Sequence, residues 1–211
     1  MARKELPEIN AGSMADIAFL LLIFFLVTTT MDVDSGISRK LSELPPEDYT
    51  PPIIKQKNIF EINLNRNNKM LVSGELIEIS ELKQKTIDFL DNGGGIGQAT
   101  ENGLGQPCDY CQGAKSPTSS DHPSKAIISV QSDRGTTYGM YISVQNELLA
   151  AFSELRNRYA LNHLKGKYSG KSYDDLLLLA RSDKENLELK AAITEVKEAY
   201  PQIISDAEPT K

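Results

Sequence analysis

One stretch, Ser13 to Met31, restricts the fold of this chain more than any other, because it is long, apolar and almost uncharged. The run from Ile17 to Val27 contains no polar residue. A helix without a polar face belongs in lipid or deep inside a helical bundle. About 20 residues at helical rise cover roughly the hydrocarbon thickness of a bilayer. We therefore predict a single transmembrane helix over residues 11–31.

One carboxylate, Asp16, lies in the first turns of this predicted helix. Inserting a central Asp costs about 2.5–3.5 kcal/mol, and the apolar run returns roughly 3–6 kcal/mol, so insertion remains favourable. No Lys, Arg or His lies between Glu5 and Arg39 to pair with the carboxylate. Two interpretations stay open from the residues alone. Asp16 either carries protons inside an assembly whose other subunits supply polar groups, or reaches the headgroups from a simple anchor.

A cleavable signal peptide and a helix buried in a soluble domain are the alternatives to a membrane span. A signal peptide needs a cationic start and small residues at its cleavage site, whereas Glu5 and Glu8 offset Arg3 and Lys4 here. A buried helix needs a large surrounding core. With a basic pair before the helix and acids after it, the positive-inside rule places the N-terminus in the cytoplasm. We thus expect a single-pass protein of the bacterial inner membrane with a periplasmic C-terminal domain.

The overall charge and the rarity of metal-binding side chains exclude several classes of function. The chain has 29 acidic and 23 basic residues, a net charge of −6, which argues against nucleic acid as a partner. It contains no P-loop, no Ser-His-Asp set and no HExxH motif, and only two histidines and two cysteines. We therefore predict that it is not an enzyme and that it needs neither a metal nor another cofactor.

Composition divides the chain into an anchor and one folded domain. Residues 1–10 form a short cytoplasmic tail. Residues 32–57 contain four prolines and many charges, which indicates a semi-stiff extended linker. Residues 58–207 form the periplasmic domain. Within it, residues 91–124 are rich in Gly, Ser and Pro and poor in large apolar residues, which is typical of a surface loop or disordered insertion.

The domain is predicted to be α+β, because period-two and helical apolar patterns alternate along it. In chain order we predict a hairpin of residues 58–65 and 69–73, a helix over 80–90 capped by Ser80, a strand over 125–132, a helix from Thr137 to about Tyr159, helices over 173–180 and 183–200, and an edge strand at Ile203–Ile204. The apolar rows of the first two helices are assigned to the core and not to a cofactor. These rows are Leu82, Thr86, Ile87 and Leu90, then Tyr141, Val144, Leu148, Phe152, Leu155 and Tyr159.

Both cysteines lie in the Gly-rich insertion, as Cys108-Asp-Tyr-Cys111. On the oxidising side of a bacterial membrane this spacing fits a local disulfide that fixes the loop. A free or metal-bound pair is the second interpretation. A thioredoxin-like redox site is the third, although no βα unit frames the motif.

Two motifs resemble the ExbD/TolR family of biopolymer-transport stator proteins. The first is Glu8-Ile9-Asn10, followed after six positions by Asp16 and then by the apolar run. The second is Ser132-Asp-Arg-Gly-Thr-Thr-Tyr-Gly139, which follows a predicted strand and opens a helix. The chain departs from the family pattern in Ala11-Gly12-Ser13, where a proline is common, in the insertion, and in the helical extension after Asn162.

The resemblance implies that Asp16 is the proton-binding acid of a motor driven by the proton-motive force. Two copies of the helix would lie inside a ring of a polytopic protein resembling ExbB/TolQ, and the periplasmic domain would act on a TonB-like protein or on peptidoglycan. A passive anchored module that grips cell wall or a receptor is the alternative function. A secreted thiol-redox or carrier protein is a third hypothesis, which requires loss of the anchor.

Overall fold

The computed structural model describes residues 11–29, 54–99 and 104–207, in two compact units, residues 1–51 and 52–211. In the first unit the described residues form one helix, α1 (Ala11–Thr29). Judged on the described residues alone, no helix combines the length and the apolarity that a membrane span requires. The predicted cytoplasmic tail and most of the predicted linker lie outside the described residues.

The second unit is an α+β domain, as the sequence pattern predicted. Its strands are β1 (Ile59–Leu64), β2 (Met70–Val72), β3 (Glu75–Ile77), β4 (Ile127–Ser132) and β5 (Ile204–Ala207). Its helices are α2 (Ile79–Leu90), α3 (Tyr138–His163), α4 (Tyr173–Ser182) and α5 (Leu187–Ala199), with single 3-10 turns at Gln56–Asn58, Pro123–Lys125 and Gly166–Tyr168.

The sheet is mixed, with strand order β3-β2-β1-β4-β5. β1 pairs antiparallel with β2 and parallel with β4, and β4 pairs parallel with β5. Alternate residues of β1 are buried, which confirms the predicted half-buried strand. The predicted hairpin is likewise confirmed. The edge strand predicted at Ile203–Ile204 exists, but it begins one residue later and runs to Ala207.

Strand β3 was not predicted. It forms because Ser73 and Gly74 take φ of 48° and 90° and turn the chain into a second hairpin. The predicted hairpin ended at residue 73, but a glycine with positive φ such as Gly74 is the residue that a second tight hairpin needs.

The predicted N-cap of α2 was wrong. The helix begins at Ile79 and its N-cap is Glu78, whose backbone N–H donates to Glu81 Oε2 at 3.3 Å. Thr137, where the predicted helix starts, is the N-cap of α3, and its Oγ1 accepts from the N–H of Met140 at 3.4 Å. α3 continues to His163, four residues beyond the predicted end at Tyr159, and α5 begins four residues after the predicted Asp183.

The main core lies between the sheet and the helices α2 and α3. The predicted inward row of α2 is buried, and so are the four middle members of the α3 row, while Tyr141 and Tyr159 pack at its margin. A second, smaller core joins the last turns of α3 to α4 and α5. The helical extension after Asn162 is therefore packed against the domain through its own apolar contacts.

Candidate functional site

Asp16, the sequence-predicted proton site, lies on α1 and its side chain is exposed. The large apolar side chains that follow it, from Ile17 to Leu26, are each between 41% and 62% exposed. The apolar surface therefore extends around the helix, and the carboxylate lies near its N-terminal end. Helical spacing places Gly12, Phe19 and Leu20 on the same face as Asp16.

The two predicted cysteines lie in the second unit and are joined by a disulfide. Cys108 is 5% and Cys111 is 7% exposed, so the bridge is buried beneath the loop. Gly93 contacts it closely: its φ is +61°, and a Cβ at this position would lie 2.7 Å from Cys111 Cβ. Only glycine meets both demands, because it accepts positive φ and has no side chain.

The residue between the cysteines, Tyr110, fixes the loop to the rest of the domain. Its hydroxyl donates to the carbonyl oxygen of Ala199 at 2.8 Å. Its ring meets the rings of Tyr159 and Tyr200 edge-on, with centroids 5.1 and 5.4 Å apart, an arrangement that favours aromatic pairs. Burial raises the pKa of Tyr110 well above its usual value, and the nearby Tyr159 and acids add to this.

Asp91, the C-cap of α2, is the polar residue at the centre of the contact between the cysteine loop and the rest of the domain. Its Oδ1 accepts from the hydroxyl of Tyr200 at 2.7 Å, and its Oδ2 lies 2.6 Å from the guanidinium of Arg158. The N–H of Gln112 donates to the same Oδ2 at 3.2 Å. Asp91 is 3% exposed, and a buried carboxylate is stable only with such partners.

Two buried asparagines hold the insertion where regular secondary structure is missing. Asn92 Nδ2 donates to the carbonyls of Ser116 and Ser120 at 2.9 and 2.7 Å, and its Oδ1 accepts from the N–H of Ser116 at 2.9 Å. Asn58 Oδ1 accepts from the N–H of Asp121 at 2.8 Å. These side chains satisfy backbone groups that a buried loop would otherwise leave unpaired.

Asp121 also holds the point where the chain enters the domain. Its carboxylate lies 2.5 Å from Lys57 Nζ and 3.9 Å from Lys55 Nζ. Burial favours the neutral acid, but hydrogen bonds from Lys57 and Asn58 outweigh it and lower the pKa of Asp121.

The second family-like motif forms the loop between β4 and α3. Thr136 Oγ1 donates to the carbonyl of Asn65 at 3.1 Å. Asn68 Oδ1 accepts from both the N–H and the hydroxyl of Thr137, at 3.1 and 3.0 Å. The motif therefore joins the turn of the first hairpin to the start of α3.

Among the side chains that the structure describes, no group of three or more His, Cys, Asp or Glu residues is arranged to hold a metal ion. Sequence reasoning identified Asp16 and the cysteine pair, but it missed Asp91, Tyr110, Arg158 and Tyr200 as a connected set. Asp91 and Tyr200 are 109 positions apart, and no local spacing rule joins them. Tyr110 did carry a signal, since it is an aromatic residue between two cysteines in an otherwise polar segment.

The chain was compared with models of known protein families. The model of the family described as "Biopolymer transport protein ExbD/TolR" matches residues 2–156. This range includes α1, the first four strands, α2 and most of α3, and it leaves α4, α5 and β5 outside. A search of curated proteins found no match.

Proposed function

We propose, because the chain belongs to the ExbD/TolR family of biopolymer transport proteins, that it is the energy-transducing subunit of an inner-membrane motor of the ExbB–ExbD type. The resemblance to this family that the sequence indicated is confirmed. The observation that carries the proposal is the position of Asp16 near one end of a helix whose other large side chains are apolar. An ionisable group in such surroundings is expensive and is by default functional.

In this proposal α1 is the anchor and the second unit is periplasmic. Arg3 and Lys4 precede the apolar run and Asp32 and Asp34 follow it, which favours a cytoplasmic N-terminus. The disulfide agrees with an oxidising compartment on the far side. The predicted linker of residues 32–57, with its paired prolines, transmits movement to the domain.

The partners follow from the cost of the carboxylate in lipid. Asp16 requires polar groups from outside its own helix, and a ring of a polytopic ExbB/TolQ-like protein around two copies of α1 supplies them. Proton binding neutralises the carboxylate, so that this face of the helix passes apolar surface. Proton release ties the carboxylate to polar groups of the ring. Each proton that crosses releases about 2.3 kcal/mol per 100 mV of membrane potential, which drives a stepwise movement.

The domain then acts on a TonB-like protein that energises outer-membrane transport, or on peptidoglycan. A force-bearing role agrees with the way the domain is connected at its entrance, where Lys57 and Asn58 are held by the buried Asp121. No step of the proposal requires the chain to catalyse a covalent reaction.

The test is proton passage by the full chain, co-expressed with its ring-forming partner and reconstituted in vesicles with a pH-sensitive dye inside. Asp16→Asn keeps size and polarity but removes titration, so we expect it to abolish partner-dependent proton uptake. Asp16→Glu keeps a titratable acid and serves as the matched control, with partial uptake expected. Equal co-purification of both variants with the ring shows that assembly is intact.

Proton uptake by Asp16→Asn at the level of the unchanged protein would show the motor proposal to be wrong. The chain would then be a passive anchored module. That alternative predicts that a polyleucine segment in place of residues 16–27 preserves function, whereas the motor proposal predicts its loss.

A further inference from the structure

We propose that the Cys108–Cys111 loop is a redox-dependent clasp that keeps the end of α5 and strand β5 docked on the domain. This proposal concerns the second unit alone and does not rest on the motor function. The clasp consists of the disulfide, Tyr110 and the backbone of Gln112, and its target is the junction at Ala199 and Tyr200.

The clasp contacts the target at two neighbouring residues. The Tyr110 hydroxyl donates to the Ala199 carbonyl at 2.8 Å, and the Tyr110 ring packs on the Tyr200 ring. The N–H of Gln112 donates to Asp91, and the same carboxylate accepts from Tyr200 at 2.7 Å. The disulfide closes a loop of only four residues, so its main effect is to fix the direction in which Tyr110 points.

Strand β5 depends on this junction because it begins four residues after Tyr200. β5 is an edge strand whose only pairing among the described strands is with β4. Its sequence, Ile-Ser-Asp-Ala, has no fully buried residue. A short, weakly buried edge strand has little stability of its own. Besides its pairing with β4, it is held by the packing of Ile204 against the main core and by the Tyr141 hydroxyl, which donates to Asp206 at 3.2 Å. The contacts that hold Tyr200 add to these, and their loss would loosen the edge of β4 that β5 covers.

The opening reaction is a thiol–disulfide exchange with a dithiol. One thiolate of the dithiol attacks a cysteine sulfur, which forms a mixed disulfide, breaks the Cys108–Cys111 bond and releases the other cysteine as a thiolate. The second thiolate of the dithiol then attacks the dithiol's own sulfur in the mixed disulfide and releases the remaining cysteine. Two electrons and two protons pass to the protein, which gains two thiols, and the dithiol is oxidised to its own disulfide. Because both cysteines are buried, the loop must open locally before the dithiol reaches a sulfur. In an oxidising compartment disulfides persist, so the clasp stays closed there.

Hydrogen exchange measured by mass spectrometry on the full-length chain in detergent micelles tests the proposal. The disulfide is removed in two ways: the unchanged chain is treated with dithiothreitol, and the double variant Cys108→Ser/Cys111→Ser is measured without reductant. Both are compared with the unchanged, oxidised chain. We expect exchange to accelerate at least about tenfold in residues 197–207, and to stay unchanged in β1 and β2. Unchanged exchange in residues 197–207 under both conditions would overturn the proposal. Loss of protection throughout the domain would overturn it too, because the disulfide would then be a global staple.

A second variant keeps the disulfide and so remains informative if the cysteine variant folds poorly. Tyr110→Phe removes only the hydroxyl that donates to Ala199, and we expect about fivefold faster exchange confined to residues 197–207. Tyr138→Phe is the matched control, because it removes the same hydroxyl group from a side chain that is 78% exposed and does not belong to the clasp. Equal exchange of Tyr110→Phe and Tyr138→Phe in residues 197–207 would contradict the role of Tyr110.

Discussion

The hydroxyl of Tyr200 donates a hydrogen bond of 2.7 Å to Asp91 Oδ1, and this bond joins the end of α2 to the end of α5. The guanidinium of Arg158, on α3, forms an ion pair with the other oxygen of the same carboxylate, Asp91 Oδ2. The backbone carbonyl of Tyr200 accepts from the guanidinium of Arg156 at 2.8 and 3.1 Å. These buried polar contacts around Tyr200 therefore tie the extension, which lies outside the family match, to α2 and α3.

Tyr200→Phe is predicted to destabilise the domain by about 1.5–3 kcal/mol, because it removes a buried hydrogen bond to a charged acceptor. The measurement is urea unfolding of the purified chain, followed by circular dichroism. Tyr138→Phe changes the same atoms at an exposed site and should shift stability by no more than about 0.5 kcal/mol. Equal midpoints for the two variants would contradict the assigned role of the Asp91 contact.

Alkaline pH is predicted to destabilise the domain through Tyr200. Burial and the hydrogen bond to Asp91 raise the pKa of Tyr200, so the folded state holds its proton more tightly than the unfolded state. The stability is therefore intact below about pH 10, the unfolded pKa, and falls above it by up to about 1.4 kcal/mol per pH unit. Urea midpoints between pH 8 and 11 measure this slope. In Tyr200→Phe the slope should be shallower; an unchanged slope would assign it to other groups.

Two glycine substitutions are predicted to act in opposite directions. Gly93→Ala combines a φ of +61° with a contact against Cys111, so we expect a loss of at least about 1 kcal/mol. Gly139 lies in the first turn of α3, and a Cβ there meets nothing within 4 Å. Gly139→Ala should therefore raise stability by about 0.5 kcal/mol through helix propensity. Thermal unfolding of both variants tests the pair, and the same sign for both would refute the argument.

Phe152→Ala is predicted to destabilise the main core severely. Phe152 is 2% exposed and lies at the centre of the buried row of α3, so its removal leaves a cavity and should cost about 3–5 kcal/mol. The measurement is urea unfolding of the purified chain. Leu178→Ala on α4 is the comparison, since Leu178 is 58% exposed. A loss as small as that of Leu178→Ala would mean that the core closes around the missing ring.

Local patterns were sufficient for most of the elements of the domain. In β1 and in α3 the spacing of the apolar residues along the segment decides which side chains are buried. Both elements were therefore predicted correctly. Asp16 was identified because one acid interrupts an apolar run, and the family resemblance built on it is confirmed. Its role as a proton site and the boundaries of the predicted segments remain predictions.

Strand β3 and the packing of the insertion were missed for physical reasons. β3 exists because a positive-φ turn returns the chain to β2, and three residues carry too little periodicity to reveal it. The insertion lacks large apolar residues, yet its described part is packed through Asn58 and Asn92, whose partners lie 24 to 63 positions away. Buried asparagines leave no periodic signal, so composition alone favoured disorder.

The pairing of Lys57 with Asp121 leads to the last prediction, which concerns the entrance to the domain. Asp121 has a side chain 7% exposed, and its lowered pKa means that the folded state releases this proton more readily than the unfolded state. The stability it provides is therefore present above about pH 4, the unfolded pKa, and lost as pH falls through the folded value.

A double-mutant cycle of Lys57→Met and Asp121→Asn at pH 7 should give a coupling energy of about 1–2 kcal/mol, because the pair is short and one partner is buried. As pH falls through the folded pKa of Asp121, which lies below its usual value, the coupling should decline, since the carboxylate becomes neutral. The cycle of Lys83→Met and Glu154→Gln is the control: that pair is equally direct but both side chains are at least 40% exposed, so water and salt screen it. A coupling for Lys57 and Asp121 no larger than this control would show that burial adds nothing at the entrance.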